Sequence, residues 1–190
     1  MKKNTELYDV IVVGAGHAGC EAALASARMG ASTLLITINI FTVGQMSCNP
    51  AIGGLAKGHL VKEIDVMGGE MGVIADDTAL QFKVLNKSKG PAVWALRTQN
   101  DRIAYSNAMR QVLETTPNLD LRQHDVKELL FDADSVAGVV TNVDSKIYAR
   151  SVILASGTFL NGLIHVGMKN FPGGRAGEVA SSGLSDQLFE

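Results

Sequence analysis

Gly14-x-Gly16-x-x-Gly19 is the spacing that most directly implies chemistry in this chain. Gly14 lets the backbone turn sharply, Gly16 lets it approach a diphosphate, and Gly19 lets the next helix lie close to the preceding strand. Ala15, His17 and Ala18 fill the gaps, so the run from Gly14 to Gly19 is the candidate diphosphate contact. A helix opening here turns free N–H groups and the positive end of its dipole toward phosphates. His17 is placed to shield the diphosphate or to touch a partner loop. Cys48 is the second residue with chemistry to offer. It sits in a loop ahead of a helix start, a setting that suits a thiol nucleophile; the plainer reading is a cysteine packed under a bound ligand. Cys20 falls inside the first helix and reads as a small buried residue. Lys57, His59 and Lys62 lie near one helix face and are candidate phosphate contacts. Arg97, Arg102 and Arg175 are candidates to hold phosphate or carboxylate groups. For all six, a solvated surface is the plainer alternative. No metal-ligand spacing is present.

The elements that must position these residues follow from periodicity. Val10 to Val13 is β-branched or apolar throughout, as a parallel strand covered on both faces must be. A helix from about Gly16 to Met29 follows, with Ala18, Ala22, Ala25 and Met29 read as its inner face and Gly30 as its end. Ser32 to Thr37 is the second strand, which completes a βαβ unit. The acid expected at its end to hold ribose hydroxyls is absent, and Thr37 stands there. Ile38 to Gly58 reads as a long functional loop folded over the ligand. A helix to Met67 follows, its apolar face read as Leu60, Ile64 and Met67. Met71 to Ala79 is ambiguous, Leu80 to Leu85 alternates like a strand, and Asn86 to Pro91 is a turn. Thr98-x-x-Asp101 resembles a capping signal for a helix to about Glu114, with Ile103, Ala104, Ala108 and Val112 inward. Leu119 to Gln123 is another strand. Residues 126–149 read as a small antiparallel meander of Val126–Phe131, Val136–Thr141 and Ile147–Ala149. The strand Ser151–Ala155 then runs into the turn Ser156-Gly157-Thr158. Flavoproteins that bind two dinucleotides place a glycine-containing turn at this point, which specifies the dinucleotide as FAD.

Composition sets outer bounds. The chain has 190 residues, 46% hydrophobic and 19% charged, enough for one globular domain. The net charge of −2 gives no electrostatic footprint for nucleic acid. Two cysteines are too few for a disulfide framework, and a reducing cytoplasm is expected. Met1-Lys2-Lys3-Asn4 leads into Glu6 and Asp9 rather than a signal sequence, and no apolar run reaches the ~20 residues of a membrane span. The glycine-rich tail ends at Leu188-Phe189-Glu190 in what reads as mid-helix, without a closing strand. The expected fold is therefore an α/β, Rossmann-like FAD-binding fold of the glutathione-reductase type with a small β-meander. The 190 residues read as the truncated N-terminal portion of the FAD-binding domain.

Beyond these elements, four blocks carry a resemblance. They are Gly14 to Ala22, Gly44 to Gly54 continuing through Lys57–Glu63, Asn86 to Val93, and Gly173-Gly174-Arg175-Ala176-Gly177. In that order they are similar to the family of tRNA uridine 5-carboxymethylaminomethyl modification enzymes, the FAD subunits also called glucose-inhibited division protein A. The resemblance spans essentially the whole chain. It implies an enzyme of bacterial or organellar type acting at C5 of the wobble uridine of certain tRNAs. It further implies FAD, NADH, a methylene-tetrahydrofolate carbon donor and glycine or ammonium. A GTPase partner, homodimers and a heterotetrameric complex come with it. The family's flavin contacts map to Gly14, Ala15, Gly16, His17, Ala18 and Gly19, and to Val126 and Ser181. Ser156 stands where threonine or glycine is more usual. Full members are much longer, so a nicotinamide-contacting insertion and a helical C-terminal region would lie beyond Glu190. Uracil C5 is a poor nucleophile until a group adds at C6, and Cys48 is the candidate for that catalytic addition. The alternatives are a folate- and FAD-dependent tRNA uridine methyltransferase, which should lack the Ser47-Cys48-Asn49-Pro50 block, and a flavin-binding module inactive by itself.

Overall fold

The computed structural model describes residues 7–188. The readings made for Met1 to Glu6 and for Phe189 and Glu190 lie outside the described residues. The strand read at Val10–Val13 is β1 (Leu7–Val13), followed by α1 (His17–Arg28) and β2 (Thr33–Thr37). A short edge strand β3 (Ala51–Gly53), helices α2 (Lys57–Val66) and α3 (Met71–Asp77), and strands β4 (Ala79–Leu85) and β5 (Ala95–Asn100) come next. Then follow α4 (Arg102–Thr115), β6 (Leu119–Gln123), β7 (Val126–Asp132), β8 (Ser135–Thr141) and β9 (Lys146–Leu154). A hairpin of β10 (Leu163–Val166) and β11 (Lys169–Pro172) and the one-turn α5 (Leu184–Gln187) close the described chain.

Six strands form one sheet in the order β6-β2-β1-β9-β8-β7. β6, β2, β1 and β9 are mutually parallel, whereas β8 and β7 add on antiparallel. One face packs under α1 and α4 through Val12, Leu35, Leu24, Tyr105, Met109 and Leu113. The other packs Ile11, Leu34 and Ile36 against Val126, Leu129, Val139 and Leu184 of the meander and α5. Ile11, Leu34, Leu35 and Ile36 are fully buried, which explains their unbroken apolar run. Each contributes about 1.5–3 kcal/mol of burial. The result is a Rossmann-like α/β fold.

Several readings are corrected. The inner face of α1 is Cys20, Ala23, Leu24 and Ala27, with Ala22 packed at its side, whereas Ala18 and Ala25 are exposed and Met29 is 87% exposed. The phase is set at Gly19, whose added Cβ would lie 1.7 Å from the Gly14 carbonyl oxygen. Ala23 and Ala27 follow Gly19 at four-residue intervals and so share its face. On α2, Leu60 and Met67 are exposed, because Gly58 is the residue pressed onto the Leu96 backbone. On α4 the buried stripe is Tyr105, Met109 and Leu113, while Ile103 faces solvent. Thr98 is not a helix cap. It lies within β5 and donates to the Asn100 side chain, and Asp101 caps α4 by accepting from the amides of Ile103 and Ala104. Residues 71–77, ambiguous in sequence, are helical, and their first amides are capped by the Glu21 carboxylate, which accepts from Glu70 N and Met71 N. Ile147–Ala149 and Ser151–Leu154 are one strand, so the meander is continuous with the parallel sheet. The long loop is also partly ordered: it contains a 3-10 turn at Ile40–Thr42 and the strand β3, which pairs with β5.

Candidate functional site

The chain runs from β1 outward to β2 and β6, then crosses back to β9 on the other side of β1. The carboxyl ends of β1 and β9 therefore flank the point where strand order reverses, where open α/β sheets form their ligand crevice. A cleft of about 240 Å³ lies there. Its walls come from Val13–Gly16, Ile36–Asn39, Asp125–Val126, Ala155–Leu160 and Ser181, with Arg175 at one side.

The glycine turn forms the cleft's floor. Gly14 has φ +101°, donates its N–H to Ile36 O at 2.7 Å, and could not carry a Cβ, which would stand 2.5 Å from Ala155 O. Gly16 is the residue before the first turn of α1, and nothing lies within 4 Å of where its Cβ would be. The first bond within the helix runs from Cys20 N to Gly16 O, no side chain caps the helix start, and its first turn holds no acid. Those amides and the dipole are therefore directed at whatever anion occupies the open space above Gly16. Three small residues, an open approach and a helix start without a side-chain cap fit a dinucleotide diphosphate.

Among the predicted cofactor contacts, Gly14, Ala15, Gly16, Val126 and Ser181 are gathered around this cleft. His17, Ala18 and Gly19 belong to the first turn of α1 and do not line it. His17 points edge-on at Tyr105, ring centroids 5.7 Å apart. Its buried Nδ1 and the Tyr105 hydroxyl have no hydrogen-bond partner among the described residues. Burial, and secondarily the Arg175 charge, push the His17 pKa down, so it is neutral at physiological pH. Ser181 is buried. Its hydroxyl donates to Asp125 at 2.7 Å and its N–H to Phe159 O, tying the tail to the turn after β9. Asp125 in turn pairs with Lys127 at 2.7 Å. Thr37 lines the cleft where an acid was expected, and Asn39 joins it.

Sequence reasoning missed two wall residues. Asp125 carries no motif and is found only through Ser181. Arg175, a candidate phosphate or carboxylate contact in sequence but not assigned to the cofactor, stands in the cleft wall. It donates to Gln45, pairs with Glu178 at 3.1 Å and covers the Phe159 ring. Its presence in a glycine-rich block was the available signal. Lys57, His59 and Lys62 are exposed on α2, as is Arg102 at the start of α4, and none of them lines the cleft.

The two cysteines are in opposite settings. Cys20 is fully buried, donates to Ala15 O, and burial pushes its pKa up to about 12. Cys48 is exposed on the loop that leads into β3 and does not form part of the cleft wall. Maleimide at mildly alkaline pH is therefore expected to label Cys48 alone in the native protein and both thiols after denaturation. Mass spectrometry after tryptic digestion reads this out, and native labelling of Cys20 would contradict the packing.

No helix among the described residues is long and apolar enough to cross a membrane. Among the same residues, no cluster of His, Cys, Asp and Glu could hold a metal ion.

The model of the family described as glucose inhibited division protein A matches residues 9–190. The chain belongs to that family. A tRNA uridine 5-carboxymethylaminomethyl modification enzyme, MnmG, of Syntrophotalea carbinolica is 60% identical over 183 residues, covering 96% of this chain and 30% of the relative. The solved structure of Aquifex aeolicus GidA superposes with a TM-score of 0.93 at 49% identity, covering 100% of this chain and 31% of that one. More distantly, the myxobacterial chondrochloren halogenase CndH, a variant of FAD-dependent halogenases, shares the fold. Its TM-score is 0.55 at 23% identity, covering 80% of this chain and 38% of its own. The chain thus spans about a third of the length of its GidA relatives.

Proposed function

We propose that this chain is the N-terminal portion of the FAD-binding domain of a tRNA-modifying enzyme. The enzyme installs a carboxymethylaminomethyl group at C5 of the wobble uridine. The observation that carries the reading is the cleft at the ends of β1 and β9, with the uncapped start of α1 beneath it. Gly14, Ala15 and Gly16, with the first-turn amides of His17, Ala18 and Gly19, hold the diphosphate of FAD. Val126 and Ser181 contact the cofactor from the meander and the tail. When bound, FAD supplies the redox chemistry of the reaction.

The residues of this chain do the rest. Cys48 stands free and exposed, and its thiolate adds to C6 of the target uracil so that C5 becomes the nucleophile. His17 contributes its first-turn amide, while its neutral ring packs against Tyr105 behind the glycine turn and adds no charge there. By family, the complete enzyme draws on NADH, methylene-tetrahydrofolate and glycine. It works as a homodimer with a GTPase partner in a heterotetramer, and it acts in the cytoplasm.

The test is a visible absorption spectrum of the purified chain before and after adding FAD. We expect a yellow, FAD-retaining protein that turns over no tRNA by itself, with one FAD per chain at saturation. A chain that folds and stays colourless with excess FAD would overturn the cofactor assignment. Identification of the uracil product made by the complete gene product then tests the reaction. A methyl group at C5 in place of carboxymethylaminomethyl would overturn it.

A further inference from the structure

A second group of chemically capable side chains lies away from the cleft, on the sheet β3-β5-β4. The antiparallel register pairs Gln81 with Gln99 and Lys83 with Arg97. Directly paired residues and residues two apart share a face, so these four side chains form one patch across two strands. The opposite face carries Ile52, Thr98 and Asn100, which are buried toward α2 and α3, Asn100 donating to Ala75 O. The acids Asp65 and Asp76 belong to those helices and line a cavity that Lys83 and Arg97 also border. On the patch itself, Gln81 and Lys83 are exposed, while Arg97 and Gln99 are half-buried.

Two features set the patch apart. Like charges directly opposite on neighbouring strands repel and destabilise the pairing, and no carboxylate, Asp65 and Asp76 included, lies within ion-pairing distance of Lys83 or Arg97 among the described residues. None of the four side chains has a hydrogen bond within the described residues either, so their donors are all available. The chain as a whole is slightly acidic, with a net charge of −2, so two unpaired cations side by side are not a general basic surface. An anion laid across the strands relieves the repulsion and satisfies the amides.

The shape decides which anion. Small-molecule sites gather their donors in one concavity, whereas here Lys83 and Arg97 border the cavity and Gln81 and Gln99 lie outside it, so the row of donors runs out of the cavity along the strands. The neighbouring strand β3 adds only Ala51, paired with Gln99, and Gly53, paired with Arg97, to this face. That leaves a low shelf beside the donors, and the shelf leads back through Pro50 and Asn49 to the exposed Cys48. A flexible polyanion with hydroxyl groups along it fits such a surface. Phosphates meet Lys83 and Arg97, and ribose 2′-hydroxyls exchange hydrogen bonds with Gln81 and Gln99. We propose that the face carrying Gln81, Lys83, Arg97 and Gln99 grips the ribose–phosphate backbone of the RNA substrate and delivers its target base toward Cys48. This rests on the tRNA reading above.

The experiment measures tRNA binding by the complete gene product, using an unmodified transcript, over a salt series. The proteins are wild type, the double variant Lys83→Gln/Arg97→Gln, and a control of equal charge change elsewhere, Lys146→Gln/Lys169→Gln. Because the double variant leaves two phosphates without a cation, the slope of log K against log salt should shrink in magnitude by roughly 1.4–1.8. The control should keep the wild-type slope, and flavin content should be the same in all three. Lys83→Arg, which keeps the charge, should bind as wild type does. An unchanged slope in the double variant overturns the assignment, and so does weaker binding at constant slope, which would report altered packing. Wild-type protein that binds no tRNA at any salt sinks the functional reading, and this assignment with it. Normal tRNA binding with loss of an acidic protein partner also overturns it.

Discussion

Gly16→Val is expected to fold normally and to bind FAD at least about a hundredfold more weakly, ~2.7 kcal/mol. Gly16 has φ −73° and ψ −175°, extended backbone that any residue adopts, and no protein atom lies within 4 Å of its would-be Cβ. The new side chain therefore meets only the space that the diphosphate needs. Gly19→Ala should behave differently. Its methyl would sit 1.7 Å from the Gly14 carbonyl oxygen, so α1 must move off the turn, and stability falls along with FAD affinity. Thermal unfolding of the flavin-free proteins and FAD titration separate the two cases. A Gly16→Val protein that kept wild-type FAD affinity would place the diphosphate elsewhere.

Cys48→Ser, made in the complete gene product, is expected to reduce wobble-uridine modification to background while FAD remains bound. A serine hydroxyl is far less acidic than a thiol and stays protonated at neutral pH, so addition at uracil C6 is lost. The flavin should be retained because Cys48 is exposed on the loop before β3 and forms no part of the cleft wall. Nucleoside analysis of the tRNA gives the first readout and the visible spectrum the second. Undiminished product would remove Cys48 from the chemistry. Product loss together with flavin loss would instead make it a structural residue.

How much was legible depended on how sharply each segment contrasts with its surroundings. The run from Val10 through Gly19 to Thr37 could be read because β-branched strands and a fixed glycine spacing have few other uses. The phase of α1 could not, since alanines occur all round it and give no amphipathic contrast; a backbone contact at Gly19 sets it. β5 was hidden because Leu96-Arg97-Thr98-Gln99 puts polar residues on both faces, and Thr98 there resembles a cap. β9 read as two strands because Arg150 and Ser151 interrupt its apolar pattern where the strand is exposed. The glycines of the cleft have a local signature, whereas Asp125 and Arg175 reach it only through tertiary pairing with Ser181 and Gln45.

The central position of β1 has a cost during synthesis. Its partner on one side is β9, with Leu7 aligned to Tyr148 and Val13 to Leu154. β1 leaves the ribosome long before β9, so one edge of a β-branched strand stays unsatisfied while most of the described chain is still being made. Such an edge invites intermolecular pairing, and the long sequence separation slows its closure. The nascent chain is therefore expected to depend on a holding chaperone until β9 emerges, and a ribosome-stalled chain ending before Lys146 should be the most aggregation-prone length.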